Sequence, residues 1–211
     1  MVPWKNVLLI ALSLVGFGVI HSVTAGLRPR RLLSNWVGER VVEGFYRLVY
    51  NLLAVITLSP TLALLVLLTD MSLYSVRLPL SLALLALQAA GLLGLAVSLL
   101  ATDFLDFIGV RQVMAFFSGA ELPLPPVPMQ TRGMYAVTRH PLYFFSLVVL
   151  WASPTMSVNY LAFVIGATLY MALGSLIEER RLERMYGDSY RHYRQRVPWL
   201  IPMPRFSRSE N

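Results

Sequence analysis

The sequence predicts an all-α, polytopic membrane protein, and three observations lead there. The 211 residues are 56% hydrophobic and only 14% charged, whereas a soluble domain carries about 25% charged residues. The apolar residues gather into runs long enough for membrane helices. The basic residues collect in alternate loops between those runs. Length alone would suit one or two soluble domains, but the runs decide against that.

Five runs are candidate spans: 7–20 with its flanks, 45–68, 78–100, 142–152 and 158–177. A span needs about 20 apolar residues for a hydrocarbon core about 30 Å thick. The second and third qualify outright. The first qualifies with Trp4 and His21-Ser22 at the two interfaces. The fourth is short at about 1.5 Å per residue. The last two are expected to form a hairpin turning at Ser153-Pro154-Thr155-Met156-Ser157. Proline ends its first arm, and Ser157 can cap the second. After it, Gly187 fits a helix end, and Asp188 or Ser189 starts a short amphipathic helix stopped by Pro198.

Charge sets the expected orientation. Of 18 Lys and Arg, only Lys5 and Arg77 lie on one side of a five-span arrangement, and all the others lie in 28–47, in 111–139 or after Ile177. The positive-inside rule then places the N-terminus outside and the C-terminus in the cytoplasm. The net charge of +7 reads as topology plus attraction to anionic membrane lipid. No nucleic-acid partner is expected, because no aromatic-basic surface module stands outside the spans. The absence of cysteine excludes disulfides, thiolate catalysis and cysteine-ligated metals, and no metal site is expected. The N-terminus lacks the basic start and small-residue cleavage site of a removed signal, so it is read as the first span. The proline-rich stretch 121–128 is expected to be a stiff cytoplasmic loop. The whole chain, 1–211, reads as one domain whose functional half is about 130–200.

Chemistry is expected where helices meet water. In Thr138-Arg139-His140-Pro141-Leu142-Tyr143, Pro141 suits a first helical turn and pushes His140 toward extended geometry. Arg139 and His140 then project from a helix N-terminus, where free N–H groups and the dipole favour an anion. Two readings fit: a clamp for a carboxylate or phosphate, and a positive-inside anchor with a snorkelling arginine. Glu178-Glu179 closes the last span, where the dipole is unfavourable and desolvation demands a partner. Arg181 lies three residues beyond Glu178 and shares its face. Here the readings are an interfacial salt-bridge ladder and a carboxylate that accepts from a ligand. Tyr186, Tyr190 and Tyr193 follow at helical spacing, as a membrane-surface helix or a lid near a cation. His21, and the cluster Asp103, Asp106, Arg111 and Gln112, either complete a polar site or find partners among themselves.

Taken in order, Arg139-His-Pro-Leu-Tyr143, Trp151-Ala-Ser-Pro-Thr-Met156, Glu178-Glu-Arg-Arg-Leu182, Tyr186-Gly-Asp-Ser-Tyr-Arg-His-Tyr193 and Val197-Pro198 resemble the integral-membrane methyltransferases. These are the isoprenylcysteine carboxyl methyltransferase and phospholipid N-methyltransferase superfamily. His21-Ser22, Arg47 and Asp106-Phe-Ile-Gly-Val-Arg-Gln-Val113 are more similar to its bacterial branch, which holds methanethiol S-methyltransferases and NnrU-like proteins. The resemblance implies a bacterial inner-membrane enzyme using S-adenosylmethionine at the cytoplasmic ends of the last two spans. Its acceptor would be small or lipophilic and arrive from the membrane: a small thiol, or alternatively a prenylcysteine-like carboxylate or a lipid amine. It further implies that Arg139, His140, Pro141, Tyr143, Glu178, Glu179 and Tyr190 line the cofactor, and that His21, Arg111 and Arg181 are the candidate catalytic residues. A thiol would gain from a nearby positive field, with His21 as base. The family motif often has glycine where this chain has Phe145, which implies different packing there. The rival classes are a non-catalytic scaffold or sensor that kept the fold, and a small transporter.

Overall fold

The computed structural model describes residues 3–125 and 127–203. Pro126, within the proline-rich stretch, and the ends of the expected domain lie outside the described residues. In chain order the elements are α1 (Trp4–Thr24), α2 (Leu27–Val37), α3 (Glu39–Leu67), β1 (Ser72–Ser75), α4 (Leu80–Leu100), α5 (Phe104–Ile108), α6 (Val110–Phe117), a short 3-10 turn (Gly133–Ala136), α7 (Pro141–Trp151), β2 (Thr155–Ser157), α8 (Val158–Tyr186) and α9 (Asp188–Arg196). The fold is all-α apart from one small two-stranded sheet. Among the described residues, α1, α3, α4 and α8 are long and apolar enough to cross a membrane. α7, the expected fourth span, has 11 residues and rises only about 16 Å. The chain divides into two compact units, with α8 running from the first into the second.

The first unit holds α1–α3, β1, α5, α6, β2 and the start of α8. Inside a bilayer each backbone polar group must be satisfied within the protein, and α3 shows how Pro60 is tolerated. Its missing N–H frees the Ile56 carbonyl, and Ser59 Oγ donates to that oxygen at 2.8 Å. The hydroxyls of Ser13 and Thr61 meet at 2.7 Å to join α1 to α3. The proline-bearing turn before α8 contains a strand that the sequence did not suggest. β2 pairs antiparallel with β1, Ser72 opposite Ser157 and Ser75 opposite Thr155. Ser157 caps α8 as expected, its Oγ accepting from Tyr160 N at 3.3 Å. A second cap comes from outside the helix, since Asp70 Oδ1 accepts from Asn159 N at 3.0 Å. Gly109 lies at φ +91°, and a Cβ there would stand 2.4 Å from Leu48 N, so only glycine lets α6 start against α3.

The second unit holds α4, α7, α9 and the later part of α8. α4 presents Gly91 and Gly94 to α7, and a Cβ at Gly94 would stand 2.4 Å from the Phe145 ring. Phe145, where the resemblance implies a glycine, therefore fills a notch in α4. Gln88 Nε2 donates to Val149 O at 2.8 Å across the same contact. α7 and α8 run antiparallel: Trp151 Nε1 donates to Thr168 Oγ1 at 3.0 Å, Tyr143 OH lies over Gly174, and His140 reaches Glu179. This is the expected hairpin.

Candidate functional site

The second unit brings together most of the residues the sequence singled out. Pro141 is the first residue of α7, and His140 before it takes φ −124°, as the geometry before proline requires. The preceding turn is tied to the chain end beyond α9. Arg139 N donates to Pro198 O at 3.0 Å, and Thr138 Oγ1 faces the carbonyls of Trp199 and Leu200 at 2.8 and 3.0 Å. α8 does not end at Glu178-Glu179 but continues to Tyr186. Both carboxylates are therefore about two turns inside the helix, beyond the last turn where the dipole acts.

Glu179 is the hub. Its Oε1 lies 2.9 Å from His140 Nε2, 3.0 Å from Arg139 Nε and accepts from Tyr190 OH at 2.6 Å. Arg194 Nε is 3.8 Å from its Oε2. Arg139, His140, Glu179 and Tyr190 are all buried. Arg139 Nη1 also donates to Arg194 O at 3.1 Å. The anion favoured at the α7 N-terminus is thus supplied by the chain itself. Glu178 is different: 43% of its side chain is exposed, with His140 Nδ1 at 3.5 Å. Tyr143 hydrogen-bonds to it and the Arg181 charge acts on it, while the Tyr143 ring stacks on His140 with centroids 5.6 Å apart.

Burial alone would lower the His140 pKa. The hydrogen bonds and charges of Glu178 and Glu179 outweigh that and hold it above the ordinary histidine value. Burial and the Glu179 carboxylate push the Tyr190 phenol far up, so it stays a hydrogen-bond donor. Burial, with the Glu178 charge behind it, pushes Tyr135 up to about 12.

α9 closes over this junction rather than standing apart on a surface. Tyr190, Tyr193 and Val197 form a small core with Met129, Leu182 and Tyr186, and Tyr193 OH donates to Tyr135 O at 2.6 Å. Arg194 and Tyr135 were missed by sequence reasoning. Arg194 had a signal, lying four residues after Tyr190 on one helical face. Beyond Glu179 a groove is lined by Arg180, Glu183, Arg184 and Arg191.

The other candidates belong to the first unit. His21, on α1, meets Tyr50 OH through Nε2 at 2.5 Å and stacks on Phe17. Tyr50, 29 residues away, left no mark in the sequence pattern. Arg111 is half-exposed and pairs with Asp103, and Asp106 takes Arg47 and Gln112. Those acids and bases find one another, one of the two readings the sequence allowed.

A family model described as a protein of unknown function, DUF1295, matches residues 27–197. Methanethiol S-methyltransferase 1 of Bradyrhizobium diazoefficiens is 32% identical over 206 residues, covering 95% of this chain and 67% of that protein. The methanethiol S-methyltransferase of Mycobacterium tuberculosis is 33% identical over 211 residues, covering 96% of this chain and 81% of that protein. Nurim of Xenopus laevis is 36% identical over 75 residues, 36% of this chain and 26% of its own length. No solved structure matches.

Proposed function

This chain belongs to the DUF1295 family, and on that premise we propose that it is a membrane methyltransferase acting on a small thiol of the methanethiol class, with S-adenosylmethionine as donor. The observation that carries the reading is the buried Arg139–His140–Glu179–Tyr190 junction with the half-exposed Glu178 beside it. The relatives at 32% and 33% identity are methanethiol S-methyltransferases by name.

The residues present fit such a donor, which carries a carboxylate, an ammonium, a sulfonium and ribose hydroxyls. Both signs of charge stand together at Glu178 and Arg181, whose charge acts on it, while Arg180, Glu183, Arg184 and Arg191 line a groove on another face of α8. Bound there, S-adenosylmethionine supplies a methyl already activated on sulfur. In this reading the two glutamates have different work. Glu178 contacts the donor's ammonium or hydroxyls, and Tyr143 and His140 hold its carboxylate in place. Glu179 keeps α7, α8 and α9 together through hydrogen bonds with His140 and Tyr190 and an ion pair with Arg139, and so positions Glu178. Arg181 offers a positive field that favours the thiolate of the acceptor. His21, held by Tyr50, and Arg111, paired with Asp103, have no role at the donor in this reading. The protein's main contribution is alignment and exclusion of water. The same reading places the N-terminus outside and the C-terminus in the cytoplasm of a bacterial inner membrane.

The test uses purified protein in lipid nanodiscs with methyl-labelled donor and methanethiol. We expect transfer of label to the thiol, and loss of donor binding in Glu178→Gln with an unchanged melting profile. Absence of both donor binding and transfer to any thiol, prenyl-thioether acid or amine overturns the reading and leaves a non-catalytic scaffold.

A further inference from the structure

The segment between α1 and α3 is a helix, not a loop, and it is built for a surface that the described residues do not provide. α2 has no buried residue. At 100° per residue, Pro29, Leu32, Leu33, Trp36 and Val37 share one side, while Arg28, Arg31 and Asn35 share the other. Leu32 is 65% exposed and Trp36 88%, and Arg28 and Arg31 are exposed as well. Arg30 lies at the edge between the faces and pairs with Glu43 of α3, which anchors the helix. α2 contains no acidic residue. It begins three residues after α1 ends and stops two residues before α3 starts, so both of its ends are tied to helices that can cross a membrane.

Five neighbouring apolar side chains are a patch that water does not tolerate without cause. A broad apolar arc, a tryptophan and an opposed arginine face are the features of a helix lying in the membrane–water boundary. We propose that α2 lies in the headgroup layer of the protein's own bilayer and gathers anionic phospholipid. Leu32, Leu33, Trp36 and Val37 enter the acyl boundary, and Arg28 and Arg31 bind lipid phosphates. The charge complementarity selects the occupant, because Arg28 and Arg31, on a helix with no acid of its own, face a surface that is negative wherever phosphatidylglycerol or similar lipids are present. This does not depend on methyl transfer.

The cysteine-free chain makes the test direct. A single cysteine is placed by Trp36→Cys, by Leu32→Cys, or by Asn35→Cys, labelled with an environment-sensitive fluorophore, and the full chain is put into nanodiscs of phosphatidylcholine and phosphatidylglycerol. Labels at 36 and 32 should be quenched by brominated acyl chains and shielded from aqueous iodide, and the label at 35 should show the reverse. Spin-labelled lipids should show preference for phosphatidylglycerol over phosphatidylcholine, reduced several-fold in the Arg28→Gln, Arg31→Gln double variant and kept with lysine at both positions. Iodide access at 36 and 32 overturns the proposal. So does shielding from both quenchers, which means a second protein copy covers the face, and so does a lipid preference that the double variant leaves unchanged. If the double variant fails to fold, the labels alone decide.

Discussion

At the scale of single residues, Glu179 carries the most consequence. A buried carboxylate whose one oxygen hydrogen-bonds to His140 and Tyr190 and ion-pairs with Arg139 is costly to remove, because its partners stay buried. Taking away one member of a buried charged set costs about 3–5 kcal/mol. Glu179→Ala should therefore lower stability by about that amount in chemical denaturation, and Glu178→Ala, at the half-exposed neighbour, by clearly less. The opposite ranking would mean the two roles are exchanged. His140 gives a pH signature. Its folded pKa is above the ordinary value of 6.5, so folding favours the protonated form. The stability it contributes is complete below the unfolded pKa and is lost as pH rises from about 6.5 through the folded pKa. The difference in melting temperature between the protein and His140→Gln should shrink with rising pH across that window. A difference that grows would reverse the assigned sign.

At the scale of elements, complementary size decides which helices meet. Gly94 makes room for Phe145, and neither is informative alone. Gly94→Leu should drive α7 off α4 and cost about 1–3 kcal/mol from overpacking. Adding Phe145→Ala should recover part of it, since the space is then free. No recovery would mean that the notch is not what holds α7. The elements themselves were legible: all five apolar runs became helices, and the Ser157 cap, the break at Gly187 and the short helix before Pro198 are where the residue types put them. The strand β2 and the helix α2 were not legible. A three-residue strand has no periodicity to read, and α2 was hidden because its arginines were counted only as charge in a loop. The resemblance to the membrane methyltransferases, drawn from the ordered motifs, agrees with the family match over 27–197.

At the scale of the whole molecule, the distribution of Lys and Arg makes the topology testable. Single cysteines at Ser72, between α3 and α4, and at Ser118, after α6, should react with an impermeant maleimide from opposite sides of the cell membrane, Ser72 from outside. Labelling of both from one side would overturn the orientation. α8 should be the least forgiving helix, because both compact units include part of it. A proline at Ala172, near its middle, should abolish folding rather than merely reduce activity, as judged by the monodisperse peak in size-exclusion chromatography.

The sequence by itself determined the solvent and the apolar helices, because a bilayer imposes length and apolarity on every span, and proline, glycine and serine mark helix ends locally. It also determined which polar side chains gather in 138–143 and 178–193. Only the tertiary structure decided that Glu179 is wrapped by Arg139, His140 and Tyr190 while the adjacent Glu178 keeps an exposed edge. Two neighbours on a helix differ by 100° in direction, and which of them meets another helix is set by packing at long range, to which composition and spacing are blind.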